Sequence, residues 1–148
     1  MRLIKVGISG HLGRMGKELV SQTKKDKRIN FIGGFDIKDK KNLPNNIFKN
    51  AHVVIDFSSP LALKNNLQMA INNNTGLVIG TTGIKEKELK MLKHASKKIP
   101  ILVSSNMSLG VNLLFNLVQQ TASKLKDSEY DIEITEIHHK HKKDAPSG

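Results

Sequence analysis

Cysteine is absent from the 148-residue chain. That excludes disulfides, cysteine-ligated zinc, iron–sulfur clusters and thiol catalysis together. Tryptophan is absent too, tyrosine occurs once and phenylalanine five times, so a platform for stacking bases is missing. No run of about 18 apolar residues occurs, which excludes a membrane-spanning helix. Met1 to Gly10 is an apolar, β-like run without a small-residue cleavage site, and the expectation is that it is not a signal peptide. These absences read as a reducing, cytoplasmic setting with no membrane partner. Arginine is scarce, at three against 21 lysines, in a chain of net charge +11 with 13 asparagines. Arginine is the residue that reads phosphates and base edges bidentately. The excess charge is therefore ascribed to lysine-rich composition, and the expectation is an anionic small-molecule ligand and no nucleic-acid partner.

What is present is ordinary for a globular protein, with 38% hydrophobic and 25% charged residues. The length suits one domain and cannot hold two large ones. Strands are expected over Arg2–Ser9, Ile29–Asp36, Ala51–Phe57, Leu77–Gly80 and Pro100–Ser104. Helices are expected over Gly13–Lys25, Leu61–Asn73, Lys85–Lys98 and Leu109–Lys126, with a polar loop over 37–50. Alternating strands and helices predict a doubly wound parallel α/β sheet of Rossmann-like type. Tyr130–His138 alternates strictly where the earlier strands are solidly apolar. It reads as the first strand of a second, α+β domain. The expected division is 1–108, a dinucleotide-binding domain, and 109–148, the start of a substrate-binding domain.

Between the first strand and first helix runs Gly7-Ile8-Ser9-Gly10-His11-Leu12-Gly13-Arg14-Met15-Gly16. Glycines in a strand-to-helix turn let the backbone approach a pyrophosphate, and the helix N-terminus adds free N–H groups and partial positive charge. Leu12 stands where a second glycine often lies, so the motif draws its weight from its position. Asp36 ends the second strand, where a carboxylate can accept from ribose hydroxyls and suits NADH. Lys38, Lys40 and Lys41 follow and suit the extra phosphate of NADPH. Three more loops fall at strand carboxyl ends: Phe57–Pro60, Gly80–Gly83 and Ser104–Met107. Their small hydroxyl and amide residues suit a nicotinamide ribose and carboxamide, or helix capping by Ser58, Ser59 and Ser108.

The segment from Glu136 reads Glu-Ile-His-His-Lys-His-Lys-Lys-Asp-Ala-Pro-Ser-Gly. Histidines among cations can exchange protons near neutrality. A neighbouring lysine and the backbone of Pro-Ser-Gly can hold a carboxylate. A solvated basic loop is one alternative. A metal site at His138, His139 and His141 is another, and no HExxH spacing supports it.

GISGHLGRMG, IDFSSP, VIGTTG, SSNMSLGVN and EIHHKHKKDAPSG occur in this order. With them the chain resembles the 4-hydroxy-tetrahydrodipicolinate reductase (dihydrodipicolinate reductase) family. The resemblance implies NADH- or NADPH-dependent reduction of a cyclic dicarboxylate, 4-hydroxy-tetrahydrodipicolinate, to tetrahydrodipicolinate in the diaminopimelate route to lysine. It implies His138 as proton donor and Lys142 as a second catalytic group, with His139 and Gly148 on the substrate and no metal. Cofactor contacts are implied for Gly10, His11, Leu12, Gly13, Arg14, Met15, Asp36, Gly80, Thr81, Thr82, Ser104, Ser105, Asn106 and Met107. Ile37 and Ser59 depart from arginines that some members carry, which weighs against a strong NADPH preference. Family members continue well past residue 148 and build a homotetramer through their substrate-domain sheet. The expectation is therefore a C-terminally truncated chain whose two domains are incomplete. The alternative is a dead remnant that retains only nucleotide binding.

Overall fold

In the computed structural model, residues 2–39, 42–137 and 140 are described. The chain divides into two compact units, Met1–Ser105 and Asn106–Gly148. The first unit holds strands β1 (Ile4–Ser9), β2 (Ile29–Phe35), β3 (Val53–Asp56), β4 (Gly76–Ile79) and β5 (Ile101–Val103). Its helices are α1 (Arg14–Lys25), α2 (Leu43–Asn50), α3 (Pro60–Asn73) and α4 (Glu86–Ala95). All strand pairings are parallel, in the order β2-β1-β3-β4-β5. This is the expected Rossmann-like, doubly wound α/β architecture. Apolar strands with Ile8, Val54 and Ile79 fully buried are what a sheet covered on both faces demands.

The core gathers Phe35, Val54, Leu77 and Ile79 from the sheet with Leu63, Leu67, Ala70, Leu92 and Ala95 from α3 and α4. On α3 the buried residues Leu63, Asn66, Leu67 and Ala70 fall at helical spacing. Pro60 sits in its first turn, where its missing N–H costs nothing. Asn74 ends it in the left-handed region, at φ 52°.

Residues 37–50 are not all loop. Leu43–Asn50 forms α2, with Ile47 and Phe48 buried. The Phe48 ring lies 5.6 Å from that of Phe35. Asn45, Asn46, Lys49 and Asn50, exposed on this short helix, conceal its apolar side.

The second unit contains α5 (Leu109–Leu125), capped by Ser108, whose side chain accepts from the Val111 N–H. Leu109, Leu113, Leu114, Phe115, Leu117 and Val118 are exposed along it. The strand expected over Tyr130–His138 is not formed over 130–137. A strand exists by pairing, and no other strand is described in this unit. Among the described residues, no helix is long and apolar enough to cross a membrane.

Candidate cofactor site

Strand register decides what meets at the carboxyl edge of the sheet. Phe35, Ser9, Asp56, Ile79 and Val103 stand level on β2, β1, β3, β4 and β5. The next residues, Asp36, Gly10, Phe57, Gly80 and Ser104, therefore leave the sheet from one row. Backbone bonds hold that row. The N–H groups of Gly10, Phe57, Gly80 and Ser104 donate to the carbonyls of Phe35, Ser9, Asp56 and Ile79 at 2.9, 3.2, 3.0 and 3.0 Å. The order β2-β1-β3 places the topological switch between β1 and β3, the point at which open α/β sheets bind ligands.

A cleft of about 520 Å³ opens there. Gly10 and Gly13 of the turn, Asp36 and Asp39 after β2, and Phe57, Ser58 and Ser59 after β3 are among its lining residues. Gly10 adopts φ +79°, and a β-carbon on it would lie 2.7 Å from the Phe57 carbonyl oxygen. Only glycine lets the β1 and β3 loops touch at this point. At Gly16 a β-carbon would stand 2.0 Å from the Gly10 carbonyl oxygen, so α1 closes directly onto the turn. The first turn of α1 carries no acidic residue and begins with Arg14. Its unpaired N–H groups therefore offer an undiluted positive end to an anion.

Asp36 and Asp39 tie their own loop. The Asp36 N–H donates to Asp39 Oδ2 at 2.7 Å, and the Ile37 N–H donates to Asp36 Oδ1 at 2.8 Å. His11 packs against Gly34, with Nδ1 3.9 Å from Asp39 Oδ2. That nitrogen is buried without a hydrogen-bond partner among the described residues. Lys38 is exposed, and Lys40 and Lys41 lie outside the described residues.

Of the sequence candidates, Gly10, Gly13 and Asp36 line the cleft. Leu12 and Met15 are half-exposed. Thr81 is buried and donates through Oγ1 to the Asp56 carbonyl at 3.3 Å. Gly80, Thr82, Ser104 and Ser105 belong to the loops after β4 and β5. In the second unit, Asn106 takes the Ser108 N–H on its Oδ1 at 2.9 Å, and its carbonyl accepts from the Asn112 side chain at 3.0 Å. Met107 is exposed. His138, His139, His141, Lys142 and Gly148 lie outside the described residues. The capping reading holds at Ser108 alone. Ser59 makes no side-chain cap bond, and the Ser58 hydroxyl turns back to Asp56.

Sequence reasoning passed over a buried polar cluster beneath the cleft. Asp56 and Ser9 are 1% exposed and Asn66 is 3% exposed. The Asn66 amide donates to Ser9 Oγ at 2.9 Å and to Asp56 Oδ2 at 2.8 Å. The signal was an aspartate ending a strand that is otherwise apolar, since buried charge is rare without partners.

Residues 4–107 match the family described as "Dihydrodipicolinate reductase, N-terminus", and residues 110–148 match "Dihydrodipicolinate reductase, C-terminus". The chain is similar to two curated proteins called "4-hydroxy-tetrahydrodipicolinate reductase". It is 46% identical over 146 residues to that of Rickettsia akari (strain Hartford), covering 99% of this chain and 59% of the relative. It is 49% identical over 148 residues to that of Alkaliphilus oremlandii (strain OhILAs), covering 100% of this chain and 58% of the relative. The chain thus spans less than two thirds of the length of these relatives. Among solved structures it is similar to a dipicolinate-bound dihydrodipicolinate reductase from Paenisporosarcina sp. TG-14. That match has a TM-score of 0.76 at 26% identity, and it covers 99% of this chain and 62% of that one.

Proposed function

Because the chain belongs to the dihydrodipicolinate reductase family, we propose that it serves NAD(P)H-dependent reduction of 4-hydroxy-tetrahydrodipicolinate to tetrahydrodipicolinate, in the diaminopimelate route to lysine. The observation that carries this reading is the cleft at the β1/β3 switch, floored by a Gly10 that admits no β-carbon. Its volume and its lining suit part of a dinucleotide. Gly10 and Gly13 with the α1 N-terminus would hold the pyrophosphate. Asp36 would accept from the adenosine ribose hydroxyls. The remaining assigned contacts of the first unit are His11, Leu12, Arg14, Met15, Gly80 to Thr82, Ser104 and Ser105; Asn106 and Met107 are carried over by family resemblance alone.

When bound, the nicotinamide supplies a hydride to the ring of the dehydrated substrate. Everything else falls to the chain. Phe57 covers Gly80, where a β-carbon would meet the ring at 2.1 Å. By family resemblance, His138 gives a proton to the carbon beside the reduced one, and Lys142 stabilises charge on the substrate. His139 and Gly148 contact the substrate. A dicarboxylate is also what the Paenisporosarcina relative was solved with, and a cation-rich sequence segment suits it. The reading extends to a cytoplasmic enzyme and, for complete chains, to the homotetramer that the family resemblance implies.

The test uses the chain with freshly generated substrate. NADH and NADPH oxidation is followed, and binding of both nucleotides is measured on the same sample. Turnover that falls at least 100-fold in His138→Gln and in Lys142→Ala, with nucleotide binding retained, is the expected result. Absence of nucleotide binding by the folded chain would overturn the reading.

A further inference from the structure

Asp56 joins all three loops of the central edge. Its Oδ1 accepts from the Ser58 N–H at 3.0 Å and from the Ser58 hydroxyl at 2.5 Å. Its Oδ2 accepts from the Asn66 amide at 2.8 Å, and the same nitrogen reaches Ser9, the last residue of β1, at 2.9 Å. Its carbonyl accepts from the Gly80 N–H at 3.0 Å and from the Thr81 hydroxyl at 3.3 Å. The carboxylate is 1% exposed, and these side-chain partners are neutral. Burying a carboxyl group is costly unless donors meet its oxygens, and Asp56 receives three. Its geometry is therefore tightly constrained, and so are the loops attached to it.

We propose that Asp56 is a positioning residue for the cofactor cleft. Through Ser58 and Asn66 its carboxylate fixes the Phe57–Ser59 loop relative to the end of β1, where the glycine turn begins, before any ligand arrives. The inference rests on the dinucleotide reading of the cleft, and it goes further by naming what holds the cleft in shape. Ordered loops bind more tightly because less freedom is lost on binding. Asp56 need not touch the cofactor to have this effect.

The test compares Asp56→Ala, Asp56→Asn and Asn66→Ala with the parent chain. Three readouts are taken: thermal midpoint, amide hydrogen exchange at residues 57–59 and 80–82 without ligand, and NADH dissociation constant. Asp56→Ala is expected to speed exchange at residues 57–59 at least 10-fold and to weaken NADH binding about 10-fold, at temperatures where the variant is fully folded, while residues 80–82, held by the main-chain carbonyl, serve as the reference. Asp56→Asn is expected to restore both to within about 3-fold. Its oxygen still accepts from Ser58, and the Asn66 amide can turn over to present its own oxygen. Asn66→Ala spares the strand and serves where Asp56→Ala does not fold, with the same direction expected. If the parent binds NADH and the variants match it in exchange and affinity, the proposal is overturned. So it is if losses follow the thermal midpoint alone and the asparagine gives no rescue. A folded parent that binds no NADH instead strikes the dinucleotide reading itself.

Discussion

Gly10 carries two independent demands, a positive φ of +79° and a 2.7 Å limit on any β-carbon. Gly10→Ala must meet both. Left-handed backbone at a non-glycine residue costs about 1–3 kcal/mol, and the clash with Phe57 forces the β3 loop outward. The variant is expected to lose about 2–4 kcal/mol in denaturant unfolding. NADH affinity is expected to fall by a larger factor than at any exposed turn residue, such as Leu12→Ala. Equal affinities for the two variants would show that the turn does not face the nucleotide. Gly10 was legible in the sequence because the rule is local: a glycine between an apolar strand and an amphipathic helix. Asp36 was legible for the same reason. Asn66 was not, because its partners Asp56 and Ser9 lie 10 and 57 residues away. No periodicity reveals a bond across that distance.

The elements that sequence pattern found were those with long, one-sided or solidly apolar runs. α2 was missed because its eight residues, Leu43–Asn50, include three asparagines, a proline and a lysine. The signal was Leu43, Ile47 and Phe48, spaced to share one helical face. Tertiary burial makes the helix: Phe48 is fully buried, and its carbonyl accepts from the buried Thr75 hydroxyl at 2.7 Å. Phe48→Ala is expected to cost about 3–5 kcal/mol, from lost transfer energy and the cavity left against Phe35. Chemical denaturation measures it, and a loss below about 1 kcal/mol would mean that α2 docks weakly. Tyr130–His138 shows the converse error. Alternation is necessary for a half-exposed strand, yet it does not supply a partner. Its described residues 130–137 form no strand, so alternation alone was not enough to make sheet here.

At the scale of the whole molecule, two global properties could have misled: length and charge. The parallel sheet follows from alternation of elements, and register then brings Asp36, Gly10, Phe57, Gly80 and Ser104 to one edge. Four of those five were candidate contacts from sequence alone, because ends of parallel strands are where loops converge. The charge is the harder matter. A net +11 on 148 residues resembles the footprint of a nucleic-acid binder. Three arginines among 24 basic residues leave few groups for bidentate phosphate contacts. Among the described residues, no lysine or arginine lines the cleft at the sheet edge, and two carboxylates, Asp36 and Asp39, line it. Duplex DNA is expected to bind this chain only at low ionic strength, with a dissociation constant weaker than about 10 μM at 150 mM salt, as for non-specific contacts. NADH binding is expected to change less than about 3-fold between 50 and 200 mM salt, because few phosphate charges are involved. Titrations of both ligands across that range decide the matter. Sub-micromolar DNA binding at 150 mM salt would make the lysines functional and move the site away from the sheet edge.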